Sequence, residues 1–482
     1  MNRETKIITS EEIARQHSYI SRVREAVTGE GEKRYALVRT FGCQQNEADS
    51  ERLSGMAEAM GYEITDSEEL ADLILVNTCA IREHAELKAL SITGQFKHLK
   101  AKKPSLIIGI CGCMVSQEHR LNDIKNKYPY VDFLFGTGEI YRFPELLCRA
   151  REEKGRFFIV EETLGTLAEG LPVKRSSDFK AWLSIMYGCN NFCTYCVVPY
   201  VRGRERSRKR EDVLAEAREL VSKGYNEITL LGQNVNSYGK DLGYDYDFSD
   251  LLSDICAIEG EFIVRFMTSH PKDASKKLVD TIAANPKIAR QFHLPLQSGS
   301  NAVLKAMNRR YTRESYLELI DYMKAKIPDI ALTTDIIVGF PGETEEDFAD
   351  TLDILSRVRY DNIYSFIYSP RKGTPASEMD CQIPSEIQSE RFSRLLQLQH
   401  KISNEINQTL VGTTRRVLVE GISKNDPDMY TGRCESGRLV HFKSDIDYTG
   451  KIVDMLIERA ETFNVFGRVV PADIARVESD ET

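Results

Sequence analysis

The sequence predicts an α/β chain built from a small parallel α/β domain, a partial (β/α)6 barrel and an all-β tail. Near-continuous β-branched runs alternate with helical patterns from residue 34 to about 405. After residue 408 glycine-punctuated strand patterns replace them. The 482 residues are ample for two to four separate cores at roughly 150 residues per domain. Apolar residues at 41% and charged residues at 28% sit at the globular average, which excludes disordered and collagen-like classes. The net charge, 64 − 73 = −9, argues against indiscriminate coating of nucleic acid but leaves room for a local basic patch.

Residues 1–33 are polar and charge-balanced and read as a leader helix or arm. Thr9 and Glu12 form a capping-box pattern there, followed by Ile13, Ile20 and Val27 at helical spacing. Residues 34–150 then give strands at Tyr35–Thr40, Leu73–Val76, Leu106–Ile110 and Val131–Phe135. Helical stretches at Asp49–Met60 and Glu83–Lys100 separate the first three. Such a pattern makes a parallel sheet covered on both faces. Arg151–Asp178, with scattered Gly, Pro and charges, reads as a connection. Between 175 and 405 the alternation recurs six times, with strands at Trp182–Met186, Ile228–Leu231, Ile263–Met267, Phe292–Pro295, Leu332–Val338 and Ile363–Tyr368. Six units are too few for a closed eight-fold barrel and fit an open one. After a helical stretch at Ser385–Leu410, strands at Arg416–Glu420, Leu439–Lys443 and Ile452–Glu458 mark a small β-module over 408–470, with nine basic and nine acidic residues.

Eleven cysteines, an odd number, point to a reducing compartment where thiolates bind metals. No run of ~18 apolar residues occurs, so neither export nor membrane spanning is supported and a cytoplasmic location is expected. Cys189, Cys193 and Cys196 follow the first barrel strand in a Cys-x3-Cys-x2-Cys loop. Ligands bind at the carboxyl ends of parallel strands, and three soft thiolates suit an iron–sulfur cluster. With three protein ligands, a four-iron cluster keeps one open iron. Zinc would want a fourth ligand, and the flanking sequence offers no nearby Cys or His.

Cys43, Cys79 and Cys113 each follow one of the first three strands of the N-terminal sheet. Adjacent strands lie ~4.8 Å apart, so three cysteines at the same end of neighbouring strands can converge on one cluster. Cys111 is the rival third ligand. Cys148 and Cys256 sit among apolar helical neighbours, Cys381 and Cys434 in loop-like sequence, and all four read as structural.

The stretch Tyr187–Arg208 resembles the radical S-adenosylmethionine (SAM) enzymes, and within them the methylthiotransferases. Phe41-Gly-Cys-Gln-Gln-Asn46, Asn77-Thr-Cys-Ala-Ile-Arg82 and Gly112-Cys-Met114 are similar to that family's three N-terminal cysteine motifs, which favours Cys113 over Cys111. The resemblance runs from about 34 to 470. It implies a Rossmann-like N-terminal domain, a radical SAM barrel and a TRAM domain at 408–470, a small RNA-binding β-fold. It also implies two 4Fe-4S clusters, an auxiliary one on Cys43, Cys79 and Cys113 and a SAM-binding one on Cys189, Cys193 and Cys196.

Gln233, Gln297 and Gly339 match segments that line the SAM pocket in the family. The run Arg202–Arg210, with six basic residues and one acidic, leaves the cluster loop. Its Arg202, Arg204, Arg206 and Arg208 are candidate phosphate contacts, which Arg309, Arg310 and Tyr311 could extend.

The motifs look most like the branch that methylthiolates carbon 2 of N(6)-dimethylallyladenosine at tRNA position 37. Gln45 stands where that branch usually carries Met. The expected partners are a prenylated tRNA anticodon stem-loop, SAM and an electron donor such as flavodoxin or ferredoxin, with the chain a monomer. The same residues leave open a methylthiotransferase for threonylcarbamoyl-adenosine or for a ribosomal-protein aspartate. In another class stands a zinc-stabilised RNA-binding protein without catalysis.

Overall fold

The computed structural model describes residues 8–81, 83–153, 155–160 and 168–470. The N-terminal unit runs α1 (Ser10–Gly29), β1 (Arg34–Thr40), α2 (Gln44–Ala59), β2 (Tyr62–Ile64), β3 (Leu73–Thr78) and α3 (Glu83–Lys102). It continues with β4 (Ile107–Gly112), α4 (Glu118–Lys127), β5 (Phe133–Phe135), α5 (Phe143–Glu152) and β6 (Phe157–Ile159). Its six strands form one parallel sheet in the order β2-β1-β3-β4-β5-β6. Alternation along β3 divides the core: Leu73 and Leu75 face one layer, Ile74 and Val76 the other. The leader is a helix whose Thr9 hydroxyl caps it by accepting from the Glu12 amide, and Ile20, Val23 and Val27 bury its inner face against the first layer.

Two short strands escaped the sequence reading of this unit. At β2 and β6 only three residues pair, too few to show a period. The predicted connection Arg151–Asp178 therefore begins by adding an edge strand to the sheet; its residues 154 and 161–167 lie outside the described residues, as do 1–7 of the leader and Arg82 of the second cysteine motif.

The central unit runs β7 (Lys180–Ser184), β8 (Met186–Tyr187), α6 (Val198–Val201), β9 (Arg206–Ser207), α7 (Arg210–Ser222), β10 (Glu227–Leu231), α8 (Phe248–Cys256), β11 (Ile263–Phe266) and α9 (Lys276–Ala284). There follow β12 (Gln291–His293), α10 (Asn301–Ala306), α11 (Arg313–Lys326), β13 (Ala331–Val338), α12 (Glu345–Val358), β14 (Asn362–Ile367) and α13 (Ser385–Gln408). All six predicted barrel strands are present as two parallel triplets, β11-β10-β7 and β12-β13-β14. A parallel bridge from Val264 to Ile288 links them. One continuous apolar core fills the barrel and the inner faces of its helices.

The tail closes into a five-stranded barrel, β15 (Thr414–Ile422), β16 (Tyr430–Cys434), β17 (Leu439–Phe442), β18 (Ile452–Ala460) and β19 (Asn464–Val469). It docks on the bottom of the barrel: Leu418 packs on Ile263 and Ala289, Arg265 Nη2 donates to the Cys434 carbonyl, and Arg438 pairs with Asp361.

Candidate active site: two cysteine triads at a domain seam

Register aligns the carboxyl ends of β1, β3 and β4. Thr40 pairs with Asn77, Asn77 with Cys111 and Thr78 with Gly112, so the chain leaves all three strands at one level. Cys43 stands there as the residue before α2, Cys79 just past β3 and Cys113 just past β4. The loops are stitched together. Asn46 Nδ2 donates to the carbonyls of Phe41 (3.0 Å) and Thr78 (2.9 Å), and the Cys113 amide donates to Thr78 (2.9 Å). Gly42, at φ +134°, comes so near that a Cβ would lie 2.6 Å from Cys79 Cβ. Cys111 points into the sheet's hydrophobic core, whereas Cys113 packs with Ala80, Val197 and Val201.

The second triad sits in the loop after the β8 end. Gly188, at φ +79°, lets the chain pass where a Cβ would lie 2.0 Å from the Arg204 carbonyl. The Cys189 amide donates to Gly203 (3.0 Å), and the Cys196 amide to Cys193 (3.0 Å). Residues after α10 hold the loop's far side. Asn308 Nδ2 donates to the Asn191 and Phe192 carbonyls, and Arg309 Nη1 reaches Cys193 Sγ at 3.4 Å.

Burial is the main cause that pushes the Cys113 and Cys189 thiols up to about 12; at Cys113 the Arg202 guanidinium pulls down while Cys79 and Cys43 push further up. Cys113 thus feels Cys79 and Cys43, and Cys189 feels Cys193, and a bound metal is what would displace the protons of these two thiols. Among the described residues no three His, Cys, Asp or Glu side chains meet tightly enough for a single ion. A zinc site needs its thiolates about 2.3 Å from one metal. Cysteines on the corners of an iron–sulfur cube stand farther apart, and two all-thiol triads with a buried guanidinium beside each fit that group.

The triads adjoin across the domain seam. Arg202 Nε lies 3.2 Å from Cys113 Sγ, and its Nη2 donates to Asn46 (2.8 Å) and Asp49 (2.9 Å). The next residue, Gly203, accepts from Cys189. Gln45 adds a second tie: its Nε2 donates to Ser184 Oγ (2.9 Å), and its Oε1 accepts from Gln233 Nε2 (3.5 Å). Gln233 Oε1 in turn accepts from the Gly188 amide (2.5 Å).

Of the residues expected to line the SAM pocket, Gln233 is engaged at both ends by these internal bonds. Gln297 is buried at φ +73°, bridged to Ile336. Gly339, at φ +74°, lies against Gln388, where a Cβ would clash. Pattern reading missed a ring of buried polar atoms without hydrogen-bond partners at the strand ends: Asn234 Oδ1, both Asn236 amide atoms, Ser269 Oγ, His270 Nε2 and Tyr368 OH. Burial, then Arg309, pushes the His270 imidazole far down, so it is neutral. Loop polarity alone could not have flagged these residues, because only the fold shows that they are buried and unsatisfied.

The basic run corrects the sequence reading. Only Arg204 of the four arginines is exposed, stacked over the Phe192 ring at 4.4 Å. Arg202 turns to Cys113, Arg208 is buried against Glu169 and Glu216, and Arg206 is buried between backbone carbonyls. Arg309 and Tyr311 also face inward, leaving Arg310 exposed. At this tight domain seam the Arg202 and Arg208 guanidiniums are taken up by internal carboxylates and do not face an approaching RNA.

Comparison with known proteins follows the same architecture. The Radical SAM superfamily matches residues 183–355, the uncharacterized protein family UPF0004 residues 35–136, and the TRAM domain residues 408–470. A tRNA-2-methylthio-N(6)-dimethylallyladenosine synthase of Alkaliphilus oremlandii is 51% identical over 471 residues, covering 98% of this chain and 100% of that protein. The synthase of Thermoanaerobacter pseudethanolicus is 50% identical, with 96% and 98% covered. The chain belongs to the tRNA-2-methylthio-N(6)-dimethylallyladenosine synthase family. Clostridium perfringens has a further member, 51% identical over 91% of this chain and 98% of its own. Among solved structures, the radical S-adenosylmethionine methyltransferase TsrM of Kitasatospora setae shares the fold at TM-score 0.52, with 14% identity over 80% of this chain and 81% of its own. Among the described residues no helix is long and apolar enough to cross a membrane.

Proposed function

We propose that this chain, like the family members it matches, is a radical SAM methylthiotransferase that converts N(6)-dimethylallyladenosine of tRNA to its 2-methylthio form, at carbon 2 of adenosine 37. The observation that carries this reading is the adjacency at Arg202 and Gly203, consecutive residues of which one touches each cysteine triad. Carbon 2 of adenine is neither acidic nor electrophilic, so ordinary acid–base or nucleophilic routes do not serve it. When bound, two 4Fe-4S clusters and SAM supply the methylthio sulfur and the radical that removes hydrogen from that carbon.

The chain's own residues have distinct tasks. Cys189, Cys193 and Cys196 hold the SAM-binding cluster, and Cys43, Cys79 and Cys113 the auxiliary one. Asn234, Asn236, Ser269 and the neutral His270 offer unsatisfied polar atoms to the polar groups of SAM at the barrel mouth. Gln45 and Gln233 keep the two halves in register and exclude water from the seam. The base must be splayed out of the anticodon loop to reach the gap, which costs less in a loop than in a duplex. Exposed Arg204 and Arg310, with the TRAM barrel, present the surface for the anticodon stem-loop. In this reading the chain works as a cytoplasmic monomer fed by a flavodoxin- or ferredoxin-class donor.

Mass spectrometry of tRNA nucleosides from a deletion strain tests the assignment. The methylthio-prenyl nucleoside should vanish and return with the intact gene. An unchanged profile with an altered ribosomal protein, or loss of a methylthio-threonylcarbamoyl nucleoside instead, overturns it. Cys193→Ala should abolish SAM cleavage. Cys79→Ala should keep cleavage and stop transfer; retained transfer refutes the auxiliary-cluster ligand set.

A further inference from the structure

We propose that the seam between the N-terminal domain and the barrel holds a binding site for a small, doubly charged oxyanion of the phosphate class. A cavity of about 510 Å³ opens there, walled by α2, the β8–β9 ribbon and α7. That size falls within the range of small-molecule pockets.

Most charges on its wall are already matched. Arg175 pairs with Glu51 and Glu216, Arg202 with Asp49, Arg208 with Glu169 and Glu216, and Lys223 with Glu219. Asp212, half-buried, sits in the first turn of α7, where it complements that helix's own positive end. Two guanidiniums are left over.

Arg206 is 7% exposed and, among the described residues, meets no carboxylate; Nε and Nη2 donate to the Arg204 and Arg202 carbonyls, and Nη1 has no partner. Its pairing partner across the ribbon is Tyr187, so the two side chains stand side by side. The Tyr187 hydroxyl is likewise buried without a partner. Arg52 of α2 lies 5.6 Å from the centre of the Tyr187 ring and, among the described residues, makes no hydrogen bond or ion pair. Two guanidiniums and a phenol therefore line one cavity; the carboxylates whose charge reaches Arg52, Glu216 and Asp49, are already paired with Arg175, Arg208 and Arg202.

Arg206 is buried with no ion-pair partner among the described residues, Arg52 is half-buried with only carboxylates that are already paired, and arginine cannot escape the cost by losing its proton. Two such cations are best neutralised by a dianion, and their planar forks suit the oxygens of a phosphoryl group. Bound there, the anion ties α2, which follows Cys43, to the ribbon that leads into Cys189. The phosphoryl group could come from a free small molecule or from the backbone of bound RNA, and the test separates these sources.

The experiment is equilibrium dialysis of the reconstituted holoenzyme with labelled inorganic phosphate and pyrophosphate, at constant ionic strength set by chloride. One saturable site per chain is expected, with a matching rise in Tm. Arg52→Gln should weaken binding by about tenfold or more, the loss of one charge-assisted pair. Tyr187→Phe, which keeps the ring, should weaken it less, and Arg204→Gln should leave it unchanged. Arg206→Gln serves as a second variant if it folds. Displacement by an anticodon stem-loop assigns the phosphoryl group to RNA, and persistence assigns it to a small molecule; either supports the site. Absence of saturable binding, equal binding by Arg52→Gln, or displacement by SAM overturns it.

Discussion

At Arg202 a guanidinium lies inside the protein with the Asp49 carboxylate 2.9 Å from Nη2 and the Cys113 sulfur 3.2 Å from Nε. Removing it breaks the buried ion pair and leaves Asp49 with the Gln45 amide as its hydrogen-bond donor, a loss on the order of 3–5 kcal/mol for a buried pair. Arg202→Met should therefore lower Tm by several degrees and reduce iron retention at the N-terminal triad; an unchanged Tm and full iron would show the pair to be idle. Glu343 gives a second residue-level expectation. Burial pushes its carboxyl up to about 7, outweighing the Gly339 amide and the Arg391 guanidinium that pull it down. The folded chain thus holds this proton more tightly than the unfolded chain. The resulting stability is full below the ordinary value of 4.5 and is lost as pH rises toward about 7. Glu343→Gln should lack that slope, so its Tm relative to the parent should climb between those pH values. Parallel Tm–pH curves would refute the shift. At this scale the six cysteines were legible in the sequence because their residue type and strand-end positions carry the chemistry. The fate of the arginines was not, since a charge run says nothing about which side of the chain meets solvent.

The ends of β1, β3 and β4 illustrate the next scale. Their level is set by the sheet register, and Gly112 makes the last step possible: at φ +96°, a Cβ there would lie 2.3 Å from the Thr78 carbonyl. Gly112→Ala should push Cys113 off its level while leaving the barrel loop intact. Iron in the reconstituted enzyme should fall from about eight to about four per chain, with SAM cleavage preserved. Full iron content would mean that the strand end tolerates the shift. Strands such as Leu73–Thr78, buried at every residue, announce themselves in sequence, because a strand covered on both faces carries a continuous apolar run. Tyr430–Cys434 does not. It reads Tyr-Thr-Gly-Arg-Cys, and its Gly432 is there because a side chain would strike Val417 on the neighbouring strand. A constraint of that kind becomes visible only once the partner strand is in place.

For the molecule as a whole, the decisive contacts join residues far apart in the chain: Gln45 with Ser184 and Gln233, Asn46 with Arg202. The alternation of strands and helices foretold three cores, but nothing in it states how two of them face each other, since each half of such a bond is ordinary by itself. The seam predicts a magnetic signature. With both clusters reduced, the electron paramagnetic resonance spectrum should differ from the sum of spectra from Cys79→Ala and Cys193→Ala, each holding one cluster. Simple additivity would place the centres too far apart for one nucleobase. The seven residues from Cys196 to Arg202, which reaches Cys113, turn once through α6 between the two triads. The gap between the metal centres is thereby measured out by a covalent ruler rather than left to a hinge. Lengthening that stretch by even one residue should detune transfer while each centre, taken alone, still loads.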